Sequence, residues 1–209
     1  MGGIGVQGPQ EHVGLFKLCA GENGPAQFAQ GAGKLLTTIA SGIAGASFRP
    51  VTSADGYEWV FKIQFKSVED VETFYGMIED LDVAGDLIES SVMVDVAGIR
   101  GGIKPGTGEI LALFNIPKDM RDAMDEIEGR VEDASPPGMT KISIRPIHEA
   151  EALFCGYPSL QPGYTHALMV NFDTEANLQT FLESGVLASS MAVIPEGTEP
   201  RGLYVSYVF

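Results

Sequence analysis

The sequence predicts an α+β protein in which one unit occurs twice, each copy having an antiparallel sheet with its helices on one face. Residues 56–74 (GYEWVFKIQFKSVEDVETF) and 163–181 (GYTHALMVNFDTEANLQTF) share a Gly-Tyr pair, a strand phenylalanine and a Thr-Phe pair in the same register. A second match joins residues 47–51 (SFRPV) to residues 143–147 (SIRPI). Self-similarity at such a spacing indicates that a supersecondary unit is duplicated.

Copy one has the pattern strand, helix, strand, strand, helix, strand. Its predicted elements are strands at 12–18, 46–51, 57–65 and 92–96, a helix within 24–43, and a helix that follows residue 67. Apolar residues recur every three or four positions from Phe28 to Ile43, which is the spacing of one helical face. The odd-numbered positions from Trp59 to Phe65 are all aromatic or aliphatic, which indicates a strand with one apolar face. Ser67 is a typical N-cap for the second helix.

Copy two repeats this order. Its predicted elements are strands at 110–116, 140–147, 164–172 and 203–209, a helix spanning residues 120–131, and a helix capped by residue 174. Met120, Met124, Ile127 and Val131 form the apolar stripe of the first helix. The helix-free face of each sheet carries apolar and polar residues mixed. Such a face needs a cover, and the equivalent face of the other copy is the natural one.

Four segments are expected along the chain. They are a flexible tail at 1–11, a first repeat at 12–98, a Gly-rich linker at 99–108 and a second repeat at 109–209. The linker lacks the spacing of a phosphate-binding loop, so a flexible connection is favoured. One chain would then build alone what a single-copy protein builds as a homodimer.

Charge and composition limit the classes of partner. With 13 Lys and Arg against 28 Asp and Glu, the 209-residue chain has a net charge of −15. Such an acidic surface repels nucleic acid and anionic membrane, so neither is an expected partner. No apolar run reaches the ~18–20 residues of a membrane span. The N-terminus lacks a signal-peptide pattern, and Cys19 and Cys155 do not match between the copies, so a cytoplasmic location without disulfides is expected.

Three short motifs carry a resemblance to a known family. They are His12-Val-Gly-Leu-Phe-Lys in the first strand, Gly56-Tyr57 with Phe65-Lys-Ser67 in copy one, and Gly163-Tyr164-Thr165-His166 with Phe172 in copy two. With them the chain resembles the stress-responsive A/B barrel family, whose dimeric α/β-barrel fold is made of ferredoxin-like units. The resemblance covers both repeats. It implies two antiparallel sheets that face each other as a pseudo-dimer with the helices outside, and an apolar ligand held between helices and sheet.

The resemblance also implies site residues. The family's strand histidines match His12 and His166. In its polyketide cyclases a Tyr and a His act together, but the Tyr position falls here on Phe74 and Phe181, and one of the two His positions falls on Leu187. A phenylalanine cannot exchange a proton, so this departure argues against cyclase chemistry of that type.

Two apolar pockets with few polar groups are therefore predicted, since this is the usual composition of a small-molecule site. Gly14 is expected to leave free space in the first pocket. The candidate catalytic residues are His12 and His166, and no cofactor or metal site is expected. The predicted ligand-binding residues are His12, Gly14, Phe16, Phe28, Trp59, Phe61, Phe74, Phe114, His166, Leu168 and Phe181.

The function predicted from these features is the binding of a small apolar or aromatic molecule. One alternative is a cofactor-independent cyclase-like or monooxygenase-like enzyme that uses a pocket histidine as base. Another is a structural or assembly protein. Tandem ferredoxin-like halves also occur in haem enzymes resembling chlorite dismutase, where His148 could serve as axial ligand. The expected state is a monomeric pseudo-dimer or a further homo-oligomer.

Overall fold

The computed structural model describes most of the chain. The described residues are 10–19, 24–38, 40–53, 56–67, 69–71, 73–74, 87–97, 103–117, 120, 122–148, 163–195, 198 and 202–209. They fall mainly into two compact units, the first within residues 10–50 and 56–97, and the second within residues 51–53, 103–147 and 163–209. Residues 1–9 of the predicted tail, Cys155 and residues 99–102 of the predicted linker lie outside the described residues.

Every predicted strand is present, with ends that differ from the prediction by at most four residues. The strands are β1 (Gln10–Leu18), β2 (Ile43–Pro50), β3 (Thr52–Ser53), β4 (Trp59–Phe65), β5 (Ile88–Ala97), β6 (Gly108–Phe114), β7 (Met139–His148), β8 (His166–Phe172) and β9 (Leu203–Val208). The helices are α1 (Gly24–Thr38), α2 (Ala123–Asp133), α3 (Glu175–Ser184) and α4 (Val186–Met191). Residues 69–71 and 73–74 are also helical, where the second helix of copy one is predicted. The short strand β3 was not predicted.

The sheet of the first unit has the order β2-β4-β1-β5 with antiparallel pairing throughout. The first and third long strands of the unit are therefore central, which is the ferredoxin-like arrangement. The register places His12 of β1 between Ile63 of β4 and Asp95 of β5. This position, at the middle of the sheet, brings the predicted pocket histidine next to an acidic residue of the last strand.

The helix α1 is shorter than its apolar stripe predicts. It ends at Thr38, whereas the stripe runs on to Ile43. Ile43 instead opens β2 and lies opposite Phe65. A β-branched residue packs well on a pleated surface, so sheet pairing prevails here over helical spacing. The turn before β2 favours glycine, because a Cβ on Gly42 would lie 2.5 Å from the Asp70 Oδ1 atom and the Asp70 side chain would have to move.

Both faces of the first unit's sheet are buried. The helix-facing core consists of Phe16, Leu18, Phe28, Ala32, Leu35, Phe61, Ile63, Phe65, Val71 and Phe74. The other face buries Val13, Leu15, Val60, Val92, Val94 and Val96. Each large apolar side chain removed from water contributes about 1.5–3 kcal/mol. Polar residues on the central strands are consequently cut off from water and need partners inside the protein.

The sheet of the second unit has the order β7-β8-β6-β9-β3. Its first four strands again have the ferredoxin-like order, and β3 adds a fifth at the edge of β9, with Thr52 opposite Ser206 and Ser53 opposite Val205. The core of this unit includes Ile127 and Val131 from α2, both fully buried, as the helical stripe predicts. A two-residue strand carries no periodicity, which is why the sequence does not reveal it.

Helix ends in both units follow the capping chemistry of the sequence. Ser67 Oγ accepts a hydrogen bond from the Asp70 amide at 3.2 Å, and Thr174 Oγ1 accepts one from the Asn177 amide at 3.3 Å. Both predicted N-caps are therefore confirmed. Gly185, with φ of 72°, separates α3 from α4 in the left-handed region that glycine favours. Within the described part of the chain, no helix is long and apolar enough to cross a membrane.

Candidate functional site

A buried histidine–aspartate pair lies in the middle of the first unit's sheet. The Nδ1 atom of His12 is 2.9 Å from Oδ1 of Asp95, and the two residues are only 2% and 6% exposed. The pair forms because the antiparallel register sets them opposite each other on β1 and β5. A carboxylate at Nδ1 favours the tautomer that carries its proton on that nitrogen. The arrangement therefore fixes both the ring orientation and the tautomer of His12.

Aromatic rings lie on the same side of the sheet as this pair. The His12 ring lies 5.3 Å from the ring of Phe74, which in turn lies 5.2 Å from Phe65. A second row of rings, with centroid separations of 4.8 to 5.0 Å, consists of Phe16, Phe28, Phe48 and Trp59. Phe61 belongs to the same core. The structure thus collects the predicted aromatic residues of copy one into a single cluster on the helix side of the sheet.

Gly14 has a different role from the predicted one. A Cβ atom at this position would lie 2.6 Å from Cζ of Phe16. The space that the sequence assigned to a ligand is therefore filled by the Phe16 ring, which folds back over the glycine on the same strand face. Gly14 allows close ring packing beside the site and does not leave a cavity there.

The pair has the groups needed for proton transfer. In a histidine held at Nδ1 by a carboxylate, Nε2 is the atom that exchanges a proton, and the carboxylate stabilises the imidazolium that forms. Burial strengthens this electrostatic stabilisation, because the low-dielectric interior screens charges less than water does. An apolar, ring-lined surrounding suits a substrate that is itself mostly aromatic.

His166 of the second unit has a different setting. It opens β8, is half-buried, and its ring stacks on Phe114 at a centroid distance of 6.2 Å. Its Nδ1 atom lies 2.7 Å from Oγ1 of Thr165, which also accepts a hydrogen bond from the Ile116 amide at 2.9 Å. Burial lowers the pKa of His166. This residue is therefore held neutral at physiological pH as a packing and hydrogen-bonding group.

We expect the stability of the protein to fall in mild acid partly because of His166. In the unfolded chain a histidine binds a proton below about pH 6.5, whereas burial opposes protonation of His166 in the folded state. The contribution of His166 to the free energy of unfolding is therefore complete above pH 6.5 and decreases as the pH falls below that value. His166→Phe keeps a ring on Phe114 and should make the decrease in melting temperature between pH 7 and pH 5.5 smaller. The chain has three histidines, so the His166 signal in an NMR titration is the one that disappears in the His166→Phe variant. A titration midpoint of His166 at or above pH 6.5 would contradict the prediction.

The other residues predicted for the second pocket form its packed core. Phe114, Leu168 and Phe181 are each at most 2% exposed and belong to one apolar cluster. Phe181 also contacts Phe172, with ring centroids 5.1 Å apart. Their role in the structure is thus to join α3 to the sheet.

The two units differ in polarity at equivalent positions. In the first unit, His12 and Asp95 lie opposite each other on neighbouring strands. In the second unit, the corresponding strands place Ile110 opposite Ser206. The second unit therefore lacks the acid–base pair. Among the described residues, no cluster of three or more His, Cys, Asp and Glu side chains could hold a metal ion.

A buried ion pair occupies the other face of the first unit's sheet. The Lys62 ammonium contacts Oε1 of Glu11 as an ion pair, and the side chains are 2% and 1% exposed. Gln64 Nε2 donates to Glu11 Oε2 at 3.4 Å. The sequence places Lys62 and Gln64 on this second face but does not reveal their partner, because pairing between β1 and β4 is set by register.

The second unit has a related cluster built with different donors. Glu109, at the position of Glu11, accepts hydrogen bonds from the Tyr207 hydroxyl and from Asn171 Nδ2, the latter at 2.5 Å. Burial, together with the negative charge of Glu109 and the hydrogen bond to it, raises the pKa of Tyr207 well above its usual range. Neither carboxylate was singled out from the sequence. Glu109 is the one charge in an otherwise apolar strand, and that signal could have found it.

The second unit also has a surface groove of about 630 Å³. It lies beside the α3–α4 turn and β9, and its lining residues are Leu182, Gly185, Leu187, Ala188, Met191, Gly202 and Tyr204. Leu182 and Tyr204 are each 37% exposed, which is unusual for large apolar or aromatic side chains among the described residues. Of these residues, only Leu187 was considered as a site position in the sequence analysis. There it takes the place of a histidine of the cyclase pattern.

Comparison with known proteins identifies the fold. No protein-family model and no curated protein sequence matches the chain. Among solved structures, an anthrone oxidase-like protein superposes with a TM-score of 0.64 at 15% identity, covering 96% of this chain and 90% of that one. A monooxygenase-like protein from Lactobacillus acidophilus gives 0.56 at 10% identity over 96% and 93% of the two chains. A chlorite dismutase from Candidatus Nitrospira defluvii gives 0.55 at 8% identity over 96% and 91%.

At identities this low, structural similarity shows the fold but does not show the activity. The structural neighbours are ferredoxin-like dimeric α/β-barrel proteins, and each unit of this chain has the ferredoxin-like strand order. The chain therefore has an α+β fold of the dimeric α/β-barrel, ferredoxin-like type.

Proposed function

We propose that this protein binds a small, mostly apolar aromatic molecule in its first unit and removes a proton from it with His12. The observation that carries the proposal is the buried His12–Asp95 pair within the aromatic cluster. Burying two ionisable groups is unfavourable unless they are paired, and the hydrogen bond between His12 and Asp95 provides that pairing inside an apolar core. The names of the structural relatives, oxidase-like and monooxygenase-like, agree with a role of this kind.

The chemistry follows from the orientation of the histidine. Asp95 accepts the Nδ1 proton, so Nε2 acts as the base toward an acidic C–H or O–H of the bound molecule. The imidazolium that forms is stabilised by the Asp95 carboxylate, and the substrate is left as an enolate or phenolate. Surrounding rings exclude water, and a flat substrate that displaced part of this ring packing would be held by contact with its faces.

An oxidation by dioxygen is the reaction class that fits the relatives' names and needs only this proton transfer from the protein. With anthrone as the probe substrate, one anthrone and one O₂ give one anthraquinone and one water. His12 removes one proton of the ring CH₂ group, and the electron pair of the resulting anion forms a C–O bond to O₂, which gives a peroxide. Loss of the second proton from the same carbon then forms the C=O bond and breaks the O–O bond, and the departing oxygen leaves as water after taking up the two protons. Asp95 acts on the reaction through His12 and is a positioning residue.

The test measures anthraquinone formation from anthrone in air, above the rate without protein. His12→Phe should lower the protein-dependent rate by about 10²–10⁴-fold, the usual contribution of a general base. Asp95→Asn should lower kcat with little change in KM and should alter the pH profile, because it leaves the ring in place while removing the charge. Glu132→Gln, an exposed change in α2 of the second unit, serves as control and should leave the rate unchanged.

Binding is measured separately through the emission of Trp59, the only tryptophan, which stacks on Phe48 in the same cluster. Quenching by anthrone without turnover would overturn the enzymatic part of the proposal and leave a ligand carrier. An absence of both quenching and turnover would overturn the whole proposal for this class of molecule. Thermal melting of His12→Phe and Asp95→Asn distinguishes a lost function from a lost fold.

We also propose, from the sequence repeat, that a single chain acts as a pseudo-dimer and needs no second subunit. The same ferredoxin-like strand order in both units supports this proposal. Native mass spectrometry of the purified protein tests it: a single-chain mass agrees with the pseudo-dimer, and a ligand retained from the cell would appear as an added small mass. A discrete higher oligomer would favour the alternative of an assembly protein.

A further inference from the structure

Gly14 is a glycine in the middle of a regular central strand. It lies opposite Phe61 of β4 and Met93 of β5, and the pairing continues through it without a bulge. A glycine weakens the interior of a strand, and where there is no bulge or bend it marks a close approach by another group. The second unit has Ala112 at the corresponding position, opposite Leu168. The fold itself therefore accepts a Cβ here, and the glycine of the first unit leaves room.

The room over Gly14 is taken by the tip of the Phe16 ring. A Cβ on Gly14 would lie 2.6 Å from Cζ and 2.7 Å from Cε2 of Phe16. Because Cζ is the ring atom farthest from the backbone, the ring points along the strand toward His12, the next residue on this face. We call this ring position, with Phe61 and Met93 on its two sides, the Gly14 site.

The second unit lacks both the Gly14 site and the acid–base pair. There the Cβ of Ala112 stands where the first unit has the tip of the Phe16 ring, and the Phe114 ring stacks on His166. The position of His12 is Ile110. A ring position bounded by apolar residues thus occurs in the unit that has a base next to it, and it is missing from the unit that has none.

Phe16 is the ring beside the pair that can move with the least disruption. Phe74 and Phe65, each 1% exposed, contact each other and join the helical residues to the sheet. The Phe16 ring instead rests over a residue without a side chain, so a change of its χ1 rotamer takes the ring off Gly14 without moving the backbone. Two χ1 values are common in strands. Half-buried Trp59, opposite Phe16, marks the less enclosed end of the cluster, toward which the ring can turn.

We propose that the Gly14 site binds an aromatic ring of the substrate, and that the Phe16 ring moves aside when that ring binds. The inference rests on the proposed function, since it assigns the substrate a place beside His12. The matching ligand is an uncharged molecule with a flat ring, because the position already holds a phenyl ring in apolar surroundings. A ring over Gly14 lies about 6.5–7 Å along the strand from His12, so an acidic group on its edge comes near the base.

The experiment measures the binding of 4-fluorophenol by ¹⁹F NMR. Phe16→Ala should bind this probe about 10–100-fold more tightly than the wild type, because the wild type must first remove a buried ring from its packing. Phe16→Leu keeps more of the core filled and should show a smaller gain in the same direction. The matched control is Phe114→Ala, which removes the corresponding ring from the second unit and should leave the affinity unchanged.

A second substitution tests the location of the bound ring. Gly14→Leu, added to Phe16→Ala, fills the Gly14 site from the neighbouring residue and should cancel the gain in affinity. The backbone accepts a leucine there, since Gly14 lies in a paired strand and outside the left-handed region. Phe16→Ala should also lower the KM for anthrone while kcat stays the same, because it removes the cost of moving the ring and keeps His12 and Asp95 in place.

The outcomes separate this inference from the proposed function. Affinities in Phe16→Ala and Phe16→Leu no higher than in the wild type would overturn the Gly14 site, as would an equal gain in Phe114→Ala. Anthrone turnover that depends on His12 would in that case leave the proposed function standing. A gain that Gly14→Leu cancels, without any anthrone turnover, would instead support the ring site and overturn the proton transfer.

Discussion

Lys62→Met should destabilise the protein by about 3–5 kcal/mol, the usual cost of leaving one partner of a buried ion pair without the other. The ammonium of Lys62 and the carboxylate of Glu11 are almost completely removed from water. After the substitution, the Gln64 amide, at 3.4 Å, is a weak donor to a charge that the interior does not solvate. Urea unfolding followed by Trp59 emission measures the loss, since this tryptophan begins β4, the strand that carries Lys62.

The double variant Glu11→Leu with Lys62→Met provides the control. Replacing both partners by apolar groups of similar size removes the uncompensated charge, so most of the lost stability should return. A single variant within 1 kcal/mol of the wild type would contradict the prediction, as would a double variant no more stable than the single one. The comparison separates the cost of an orphaned charge from the cost of altered packing.

Tyr207→Phe should remove a stability loss that the wild type shows above pH 10. Tyr207 is buried, and burial together with the Glu109 charge raises the pKa of its hydroxyl. The unfolded chain releases this proton near pH 10, while the folded protein keeps it to higher pH. The contribution of Tyr207 is therefore complete below pH 10 and declines as the pH rises above it, by at most about 1.4 kcal/mol per pH unit.

The same substitution should cost about 1.5–3 kcal/mol at pH 8, because Glu109 loses a hydrogen-bond donor while remaining buried. The difference in unfolding free energy between variant and wild type should then narrow from pH 10 to pH 11. Tyr204→Phe is the matched control on the same strand, since Tyr204 is 37% exposed and should leave the alkaline slope unchanged. An unaltered slope in Tyr207→Phe would show that another group causes the alkaline loss.

Periodicity explains why most elements could be predicted. The repeat between residues 56–74 and 163–181, alternating apolar residues, and caps such as Ser67 and Thr174 are all local signals. These local signals fail where a contact between residues that are distant in the sequence decides the structure. Ile43 fits the helical stripe of α1, but its pairing with Phe65 places it in a strand.

The candidate site was predicted only in part, for the same reason. His12 was singled out because it matches the first-strand histidine of the family that the sequence resembles. Asp95, 83 positions later, becomes its partner only through the register of β1 and β5. The space expected over Gly14 is taken by the Phe16 ring. The sequence could not show this, because a pattern of residue types does not give the rotamer of a side chain.

The sequence by itself determined the α+β class, the strand and helix order of each unit and the apolar faces, since these depend on residue spacing and local capping. Tertiary structure alone decided which buried polar groups meet, namely Glu11 with Lys62 and Glu109 with Tyr207. It also decided where an apolar surface stays uncovered, beside Leu182. The pairing of these groups depends on strand register, because a shift of one residue in register would send every side chain of a strand to the opposite face. The exposed surface beside Leu182 depends on the turn at Gly185.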